Sequence, residues 1–206
     1  MKKRTSAPRV TDQDLGELED KIRLAKQELA QARRQRTPEP VRNYTLTDTF
    51  GAPIRLAQLF GAKNELLVIH NMGVKCSHCT LWADGFNGVL KHLENRVAVV
   101  LESPDDPRVQ RKFAADRGWL FRMVSSRGTS LRKDLGYADA KNNPWPGLSV
   151  LTRTKDGKIT RVSHSGLGPG DNFCVVWDIF DLLPKGWSGN PADDGAQIDY
   201  FYSKVR

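Results

Sequence analysis

Cysteine is scarce in this chain and unevenly distributed. Three cysteines occur among 206 residues: two share one Cys-x-x-Cys motif, and the third, Cys174, lies far along the chain. An odd number of cysteines argues against a framework of structural disulfides. One Cys-x-x-Cys also supplies only two of the four ligands that a structural zinc site needs. The paired cysteines are therefore more consistent with redox chemistry than with a structural role.

Long apolar runs are also missing. No stretch of the sequence is long enough to span a bilayer, and no apolar segment follows the basic residues 1–9, as it would in a secretion signal. We therefore expect a cytoplasmic protein without a membrane partner. Structural disulfides are rare in that compartment, which again favours reactive thiols.

The chain carries positive charge in excess, concentrated near its start. The formal net charge is +8, and residues 1–43 hold eleven Lys or Arg against seven Asp or Glu, an excess of four. A basic arm can bind nucleic-acid phosphates, but no nucleic-acid-binding motif accompanies this one. We interpret the region as a soluble charged helix and do not expect a nucleic-acid partner.

Composition shifts divide the chain into four segments. They are a disordered basic tail (1–10), an amphipathic helix with a proline linker (11–40), a folded domain (41–184) and a C-terminal tail without a clear pattern (185–206). In the second segment, apolar residues recur from Leu15 to Ala32 at alternating spacings of three and four, which predicts a helix with one narrow apolar seam. That seam could lie on the domain or pair with a second copy, so a homodimer through this helix is one hypothesis.

The folded domain alternates apolar strand patterns with helical ones. We predict a hairpin (44–56), a strand (66–70), a helix from the Cys-x-x-Cys to His92, a strand (97–101), a helix (107–117), a second hairpin (148–162) and a last helix (171–183). The first half is a βαβ unit with a right-handed crossover. A Cys-x-x-Cys at the strand-to-helix junction of such a unit is typical of a thioredoxin-like fold. The fold class is therefore α/β: a βαβ unit plus a β-hairpin and a C-terminal helix, with an N-terminal helical extension.

The motif Cys76-Ser77-His78-Cys79 carries the predicted chemistry. A thiol at a helix start lies beside unpaired backbone N–H groups and the positive end of the helix dipole, which lower its pKa. Cys76 is therefore the expected nucleophile, and Cys79, one turn into the helix, is the expected resolving thiol. We expect the imidazole of His78 to add further stabilisation of the Cys76 thiolate.

Four more residues are candidates by their position at strand ends. Thioredoxin-like domains carry a cis-proline before the third core strand, facing the Cys-x-x-Cys, and Trp145-Pro146 stands at that place here. We therefore predict that Trp145 and Pro146 bind the substrate and that their peptide bond is cis, with Pro144, two residues earlier, as the competing candidate. His70 and Glu102 end the two parallel strands, where α/β sites gather, and either could shuttle a proton to Cys79.

Several runs of residues resemble an uncharacterised bacterial thioredoxin-like family, domain of unknown function 899, related to the AhpC/TSA-type thioredoxin-fold proteins. The similarity covers about residues 44–184. The matching runs are His70-Asn71-Met72-Gly73, the Cys-x-x-Cys, Thr80 to Gly88, Ser103-Pro104-Asp105, Arg117-Gly118-Trp119, Pro146 to Val150, and Pro169-Gly170-Asp171 through Asp181 to Pro184. The resemblance implies a thioredoxin fold and no known substrate. The spacer Ser77-His78 departs from the proline-containing spacers of related members, so no redox potential carries over.

Three functions remain open on the sequence. The first is a thiol–disulfide oxidoreductase that needs no cofactor and acts on a protein or small-molecule disulfide or thiol. The second is a thiol peroxidase of peroxiredoxin type, although residues 71–75 lack the proline and threonine that usually precede a peroxidatic cysteine. The third is a non-enzymatic metal-binding or interaction module. Cys174, among apolar neighbours, is predicted to be a buried inert thiol.

Overall fold

The computed structural model describes residues 10–184, which form two units. The predicted disordered tail (1–10), except for Val10, and the C-terminal tail (185–206) lie outside these residues. The helices are α1 (Asp12–Arg34), α2 (Ser77–Gly88), α3 (Leu90–Arg96), α4 (Pro107–Arg117), α5 (Leu131–Asp134) and α6 (Val175–Asp181). The strands are β1 (Glu39–Val41), β2 (Thr45–Asp48), β3 (Pro53–Arg55), β4 (Glu65–His70), β5 (Ala98–Ser103), β6 (Arg122–Ser125), β7 (Gly147–Arg153) and β8 (Ile159–Gly166).

Helix α1 constitutes the first unit. Thr11 caps it: the Thr11 side chain accepts from the Asp14 N–H, and the Asp14 carboxylate accepts from the Thr11 N–H in return. This capping box satisfies two backbone donors that a helix start otherwise leaves free. The predicted helix is therefore confirmed. Its pairing with a second copy stays a prediction.

The second unit is built on one eight-stranded sheet in the order β1-β8-β7-β4-β5-β6-β2-β3. Strands β4, β5 and β6 run parallel, and β7 is antiparallel to β4. Because β4 and β5 are apolar on both faces, one core cluster contains Ile69 and Leu101 and a second, on the other face, contains Val68 and Val100. Among the described residues, no helix is long and apolar enough to cross a membrane.

Three predicted segments differ in the structure, and strand β6 and helix α5 were not predicted. The predicted linker around Pro40 contains strand β1, which pairs with β8 at the edge of the sheet, where a proline without an N–H is tolerated. The helix after the Cys-x-x-Cys is interrupted at Val89, so α2 and α3 replace one helix. The last helix begins at Val175, not at Asp171, because the Asp171 carboxylate accepts from the N–H groups of Gly168 and Phe173 in a turn.

Candidate active site

The two motif cysteines lie at the start of α2, directly beyond the carboxyl end of β4. Cys76 is the N-cap residue: its Sγ accepts a hydrogen bond from the Cys79 N–H at 3.1 Å. Cys76 is half-buried and Cys79 is buried, and both are free thiols in this structure. A more accessible thiol thus precedes a less accessible one by a single helical turn.

The environment separates the pKa values of the two thiols. A hydrogen bond from the Cys79 side chain is the main cause that lowers the pKa of Cys76 to about 7, and the N–H groups of Cys79 and His78 add to it against the opposing effect of burial. The same hydrogen bond, together with burial, raises the pKa of Cys79 far above its usual range. Near neutral pH Cys76 is therefore partly a thiolate, whereas Cys79 keeps its proton and can act as the donor.

The His78 imidazole ring packs against tryptophans and makes no hydrogen bond to the Cys76 sulfur within residues 10–184. Its ring lies against two tryptophans, with centroids 6.1 Å from Trp82 and 6.3 Å from Trp177. Its Nε2 is buried and has no hydrogen-bond partner among residues 10–184. His78 thus lowers the pKa of Cys76 through its backbone N–H. Stabilisation of the Cys76 thiolate by the His78 ring stays a prediction.

The loop between β4 and α2 is fixed from two sides. On one side, the Asn71 side chain donates to the Cys79 carbonyl at 3.3 Å and accepts from the Gly73 N–H at 2.7 Å. On the other side, the Asp105 carboxylate accepts from the Val74 N–H at 2.9 Å. Gly73 has a φ of +113°, and a Cβ there would lie 2.8 Å from an Asp105 oxygen, so the approach requires glycine.

A buried polar network lies beneath this loop. His70 Nδ1 is 2.8 Å from a Glu102 oxygen, and His70 Nε2 is 3.0 Å from the Ser149 hydroxyl. Ser126 donates to Glu102, and Arg132 donates to both Glu102 oxygens at 2.9 and 3.1 Å. All five side chains are almost fully buried. A buried carboxylate is tolerated here because a guanidinium and further donors surround it.

The charge states within the network follow from these contacts. Burial lowers the pKa of His70 against the opposing pull of Glu102, so the ring is neutral. Burial would raise the pKa of Glu102, but the Arg132 charge and the bonds from His70 and Ser126 outweigh it, and the net pKa is lowered. A neutral ring that donates through Nδ1 to Glu102 accepts at Nε2 from Ser149.

The Ser149–His70–Glu102 chain has the connectivity of a serine nucleophile with its base and orienting acid. Ser149 and His70 are both 0% exposed, however, so no substrate carbonyl can reach the hydroxyl. The Tyr137 ring also stacks on His70 at 3.9 Å and closes that side. The chain of hydrogen bonds is therefore closed to a substrate, and a proton shuttle from His70 or Glu102 to Cys79 stays a prediction.

Arg132 connects this network to the segment predicted to bind substrate. Its Nη1 donates to the Asn71 carbonyl at 3.0 Å, and its Nη2 donates to the Trp145 carbonyl at 2.8 Å. The Trp145 side chain is 57% exposed. Substrate binding by Trp145 and Pro146 stays a prediction.

The prediction of a cis peptide bond before Pro146 is wrong. Among residues 10–184 no peptide bond is cis, so the Trp145–Pro146 bond is trans. Three hydrogen bonds fix the flanking backbone in this form: Trp145 N–H to Tyr137, Arg132 to the Trp145 carbonyl, and the Leu167 N–H to the Pro146 carbonyl.

Helix α2 is anchored by its own polar residues. Asp84 accepts from Arg117 and, at 2.7 Å, from the Trp119 indole N–H. Asn87 accepts from the Leu120 N–H and donates to the Gly118 carbonyl. The helix that carries both cysteines is thereby fixed to the end of α4.

Several site residues could not be found by reasoning from the sequence. Asn71, Asp105 and Ser149 lie within the runs that carry the family resemblance, which is the one signal that could have found them. Arg132 has no such signal, because Leu131-Arg132-Lys133-Asp134 has the composition of an exposed helix. Cys174 is buried as predicted, with a pKa raised by burial. In the described part of the chain, no three His, Cys, Asp or Glu residues form a group that could hold a metal ion.

Comparison with known proteins supports the fold. A sequence profile of the family described as bacterial protein of unknown function (DUF899) matches residues 9–202. No curated protein sequence matches the chain. Peroxidoxin BcpB from Mycobacterium tuberculosis is similar in structure, with 22% identity, a TM-score of 0.52, and coverage of 63% of this chain and 84% of that one.

Two further structures are similar at lower identity. Peroxiredoxin Q from Xanthomonas campestris has 18% identity and a TM-score of 0.51, over 60% of this chain and 79% of that one. Reduced Prx3 in complex with H2O2 from Vibrio vulnificus has 13% identity and a TM-score of 0.52, over 65% of this chain and 88% of that one. The predicted thioredoxin-like fold is thus confirmed.

Proposed function

Because this chain belongs to the bacterial family DUF899, whose function is unknown, its activity has to be inferred from its own residues, and we propose a thiol–disulfide oxidoreductase that acts through Cys76 and Cys79. One observation carries the proposal. Cys76 caps α2 with a pKa of about 7, while Cys79, one turn later, is buried, keeps its proton and donates to Cys76. This arrangement provides a nucleophile and a resolving thiol in one helical turn.

The reaction is an exchange of two thiols for one disulfide. The Cys76 thiolate attacks a sulfur of the substrate disulfide, which forms a mixed disulfide and releases one substrate thiolate. Cys79 then loses its proton and attacks the Cys76 sulfur, which releases the second substrate thiolate. The two released thiolates take up two protons, the substrate disulfide is reduced, and Cys76 and Cys79 are oxidised to a disulfide.

A thiol peroxidase is the second candidate. The fold is shared with peroxiredoxin Q and with reduced Prx3 in complex with H2O2. A Cys76 thiolate could attack a peroxide oxygen and release water or an alcohol, after which Cys79 would resolve the resulting sulfenic acid as a disulfide with loss of water. The pKa of Cys76 serves this reaction as well as it serves disulfide exchange.

Turnover separates the two candidates. Purified protein is supplied with dithiothreitol and either insulin, as a disulfide substrate, or hydrogen peroxide and cumene hydroperoxide. We expect insulin reduction that Cys76→Ser abolishes, and only slow peroxide consumption. Peroxide turnover that greatly exceeds insulin reduction, and that also depends on Cys76, would support the peroxidase instead.

A further inference from the structure

The peptide group that joins Asn71 to Met72 lies between a buried cation and the resolving thiol. Its carbonyl oxygen, on Asn71, accepts from Arg132 Nη1 at 3.0 Å. Its N–H, on Met72, donates to Cys79 Sγ at 3.4 Å. Since the C=O and N–H of a trans peptide point in opposite directions, the guanidinium and the sulfur lie at the two ends of one amide dipole.

The guanidinium is fixed in this place. Its side chain is 6% exposed, and its contacts to Glu102, the Asn71 carbonyl and the Trp145 carbonyl hold the plane of the group. A guanidinium is a permanent cation in proteins, so this group presents a fixed positive charge to the Asn71 carbonyl. A charged donor on a carbonyl polarises the amide and strengthens the hydrogen bond that its N–H donates.

Cys79 needs such a donor during resolution. The thiol is 3% exposed, so the thiolate that attacks the mixed disulfide forms where water is scarce. Its hydrogen bond to Cys76 stabilises only the protonated thiol, so Cys76 offers the Cys79 thiolate no donor. The Met72 N–H, in contrast, donates to the Cys79 sulfur and makes no contact that depends on the Cys76 proton.

We propose that Arg132 is a positioning residue for the resolving step, whose guanidinium polarises the Asn71–Met72 peptide group so that the Met72 N–H stabilises the Cys79 thiolate. This inference rests on the proposed function, since it concerns the second half of the disulfide exchange. In that half, the Cys79 proton passes to solvent, the Cys76–Cys79 bond forms, and the substrate sulfur leaves as a thiolate.

The resolving step can be measured directly with 5,5′-dithiobis(2-nitrobenzoate). Attack by Cys76 releases one equivalent of coloured thionitrobenzoate and leaves the other on Cys76, and attack by Cys79 then releases the second equivalent. The Cys174→Ala background removes the third thiol. The rate of the second release against pH gives the midpoint at which Cys79 becomes a thiolate.

Two changes in the Arg132–Glu102 pair have opposite expected effects. Glu102→Gln removes the anion that partly neutralises Arg132, so the midpoint moves down and the second release accelerates. Arg132→Met with Glu102→Gln removes the cation without leaving a buried unpaired charge, so the midpoint moves up relative to Glu102→Gln alone. A shift of about one pH unit corresponds to an about tenfold change in thiolate at a fixed pH below the midpoint.

A control and a conservative variant complete the series. Arg161→Met removes another largely buried guanidinium paired with a carboxylate, Glu39, and leaves the midpoint unchanged. Arg132→Lys keeps the positive charge and keeps the midpoint close to that of the Cys174→Ala parent. A merely structural role for Arg132 would slow the second release at every pH without moving the midpoint.

The outcomes separate this inference from the proposed function. If the parent protein never releases the second equivalent, the dithiol does not resolve a mixed disulfide, and both claims fall. If the parent releases it but the midpoint is the same in Glu102→Gln and in the double variant, only the role of Arg132 is overturned. A second release that is slower in Glu102→Gln than in the parent would also overturn the role of Arg132. That result would favour a proton shuttle through Glu102.

Discussion

At the scale of single residues, the reactivity of Cys76 depends on its partner in the motif. The side chain of Cys79 is the largest cause of the lowered pKa of Cys76, because it donates to the thiolate. In Cys79→Ala this donor is lost, the thiolate is less stable, and the pKa of Cys76 rises from about 7 toward the ~8.5 of a free cysteine. The rate of alkylation by iodoacetamide against pH measures the change.

Cys174→Ala serves as the control for that experiment, because it also removes a buried thiol from the same apolar cluster. In Cys174→Ala, the pH midpoint of Cys76 alkylation should equal that of the unaltered protein. An equal midpoint in Cys79→Ala would show that the backbone N–H groups alone set the pKa of Cys76.

Gly73 is the second residue-scale test, since it shapes the loop before Cys76. Alanine there would adopt a strained φ of +113° and place its Cβ 2.8 Å from the Asp105 carboxylate. We expect Gly73→Ala to lower the free energy of unfolding by about 1–3 kcal/mol, measured by urea denaturation. Gly85→Ala is the matched control, because a Cβ at that helical position meets no atom within 4 Å, and the variant should be as stable as the parent or more so.

At the scale of elements, Asp84 links α2 to the end of α4. Its carboxylate accepts from Arg117 and from the Trp119 indole, and the Asp84 and Arg117 side chains are only 25% and 15% exposed. Asp84→Ala leaves both donors without this acceptor, so we expect a loss of about 1–3 kcal/mol in the free energy of unfolding, measured by thermal or urea denaturation.

Asp116→Ala is the comparison for Asp84, because Asp116 pairs with Lys112 on the exposed surface of α4. Exposed pairs contribute little, so this change should have a much smaller effect. Similar losses in both variants would mean that Asp84 does not anchor the helix.

The elements also show what a sequence can and cannot predict. Helix α4 was predicted with its observed bounds, because Pro107 begins it and Gly118, with a φ of +64°, ends it by local rules. Strand β6 was missed because its four residues are too few to show a period and because, unlike β2 and β3, it forms no hairpin with a neighbouring segment. Strand β1 was missed because its partners in β8 lie far along the chain, 122 residues away for the pair Glu39–Arg161.

The candidate site, too, could be predicted only in part from the sequence. The two cysteines could be assigned from their spacing and their place after a strand, since both signals are local. Arg132 could not, because burial of its guanidinium depends on Glu102 and on carbonyl groups from two other segments. Long-range pairing of charges leaves no period in the sequence.

At the scale of the whole molecule, the buried network makes stability depend on pH. His70 is fully buried with its pKa lowered, whereas in the unfolded chain its pKa is about 6.5. Below that value the unfolded state binds a proton that the folded state does not, so the free energy of unfolding falls as the pH falls, by up to about 1.4 kcal/mol per pH unit.

Replacement of His70 tests this linkage. His70→Asn keeps a donor toward Glu102 and removes the titration, so the decline in stability between pH 6.5 and 5 should become shallower, as measured by urea denaturation at several pH values. His92→Asn changes an exposed histidine and should keep the slope of the parent. Parallel slopes for all three proteins would mean that His70 titrates alike in the folded and unfolded states.

The redox equilibrium of the whole protein tests the central claim most directly. The purified protein is equilibrated with glutathione buffers, and the fraction with Cys76 and Cys79 joined is measured by mass after alkylation, with Cys76→Ser as the control. The account predicts one reversible two-electron transition between roughly −120 and −270 mV, the span of known thioredoxin-fold oxidoreductases. Absence of any Cys76–Cys79 disulfide across that span would contradict it.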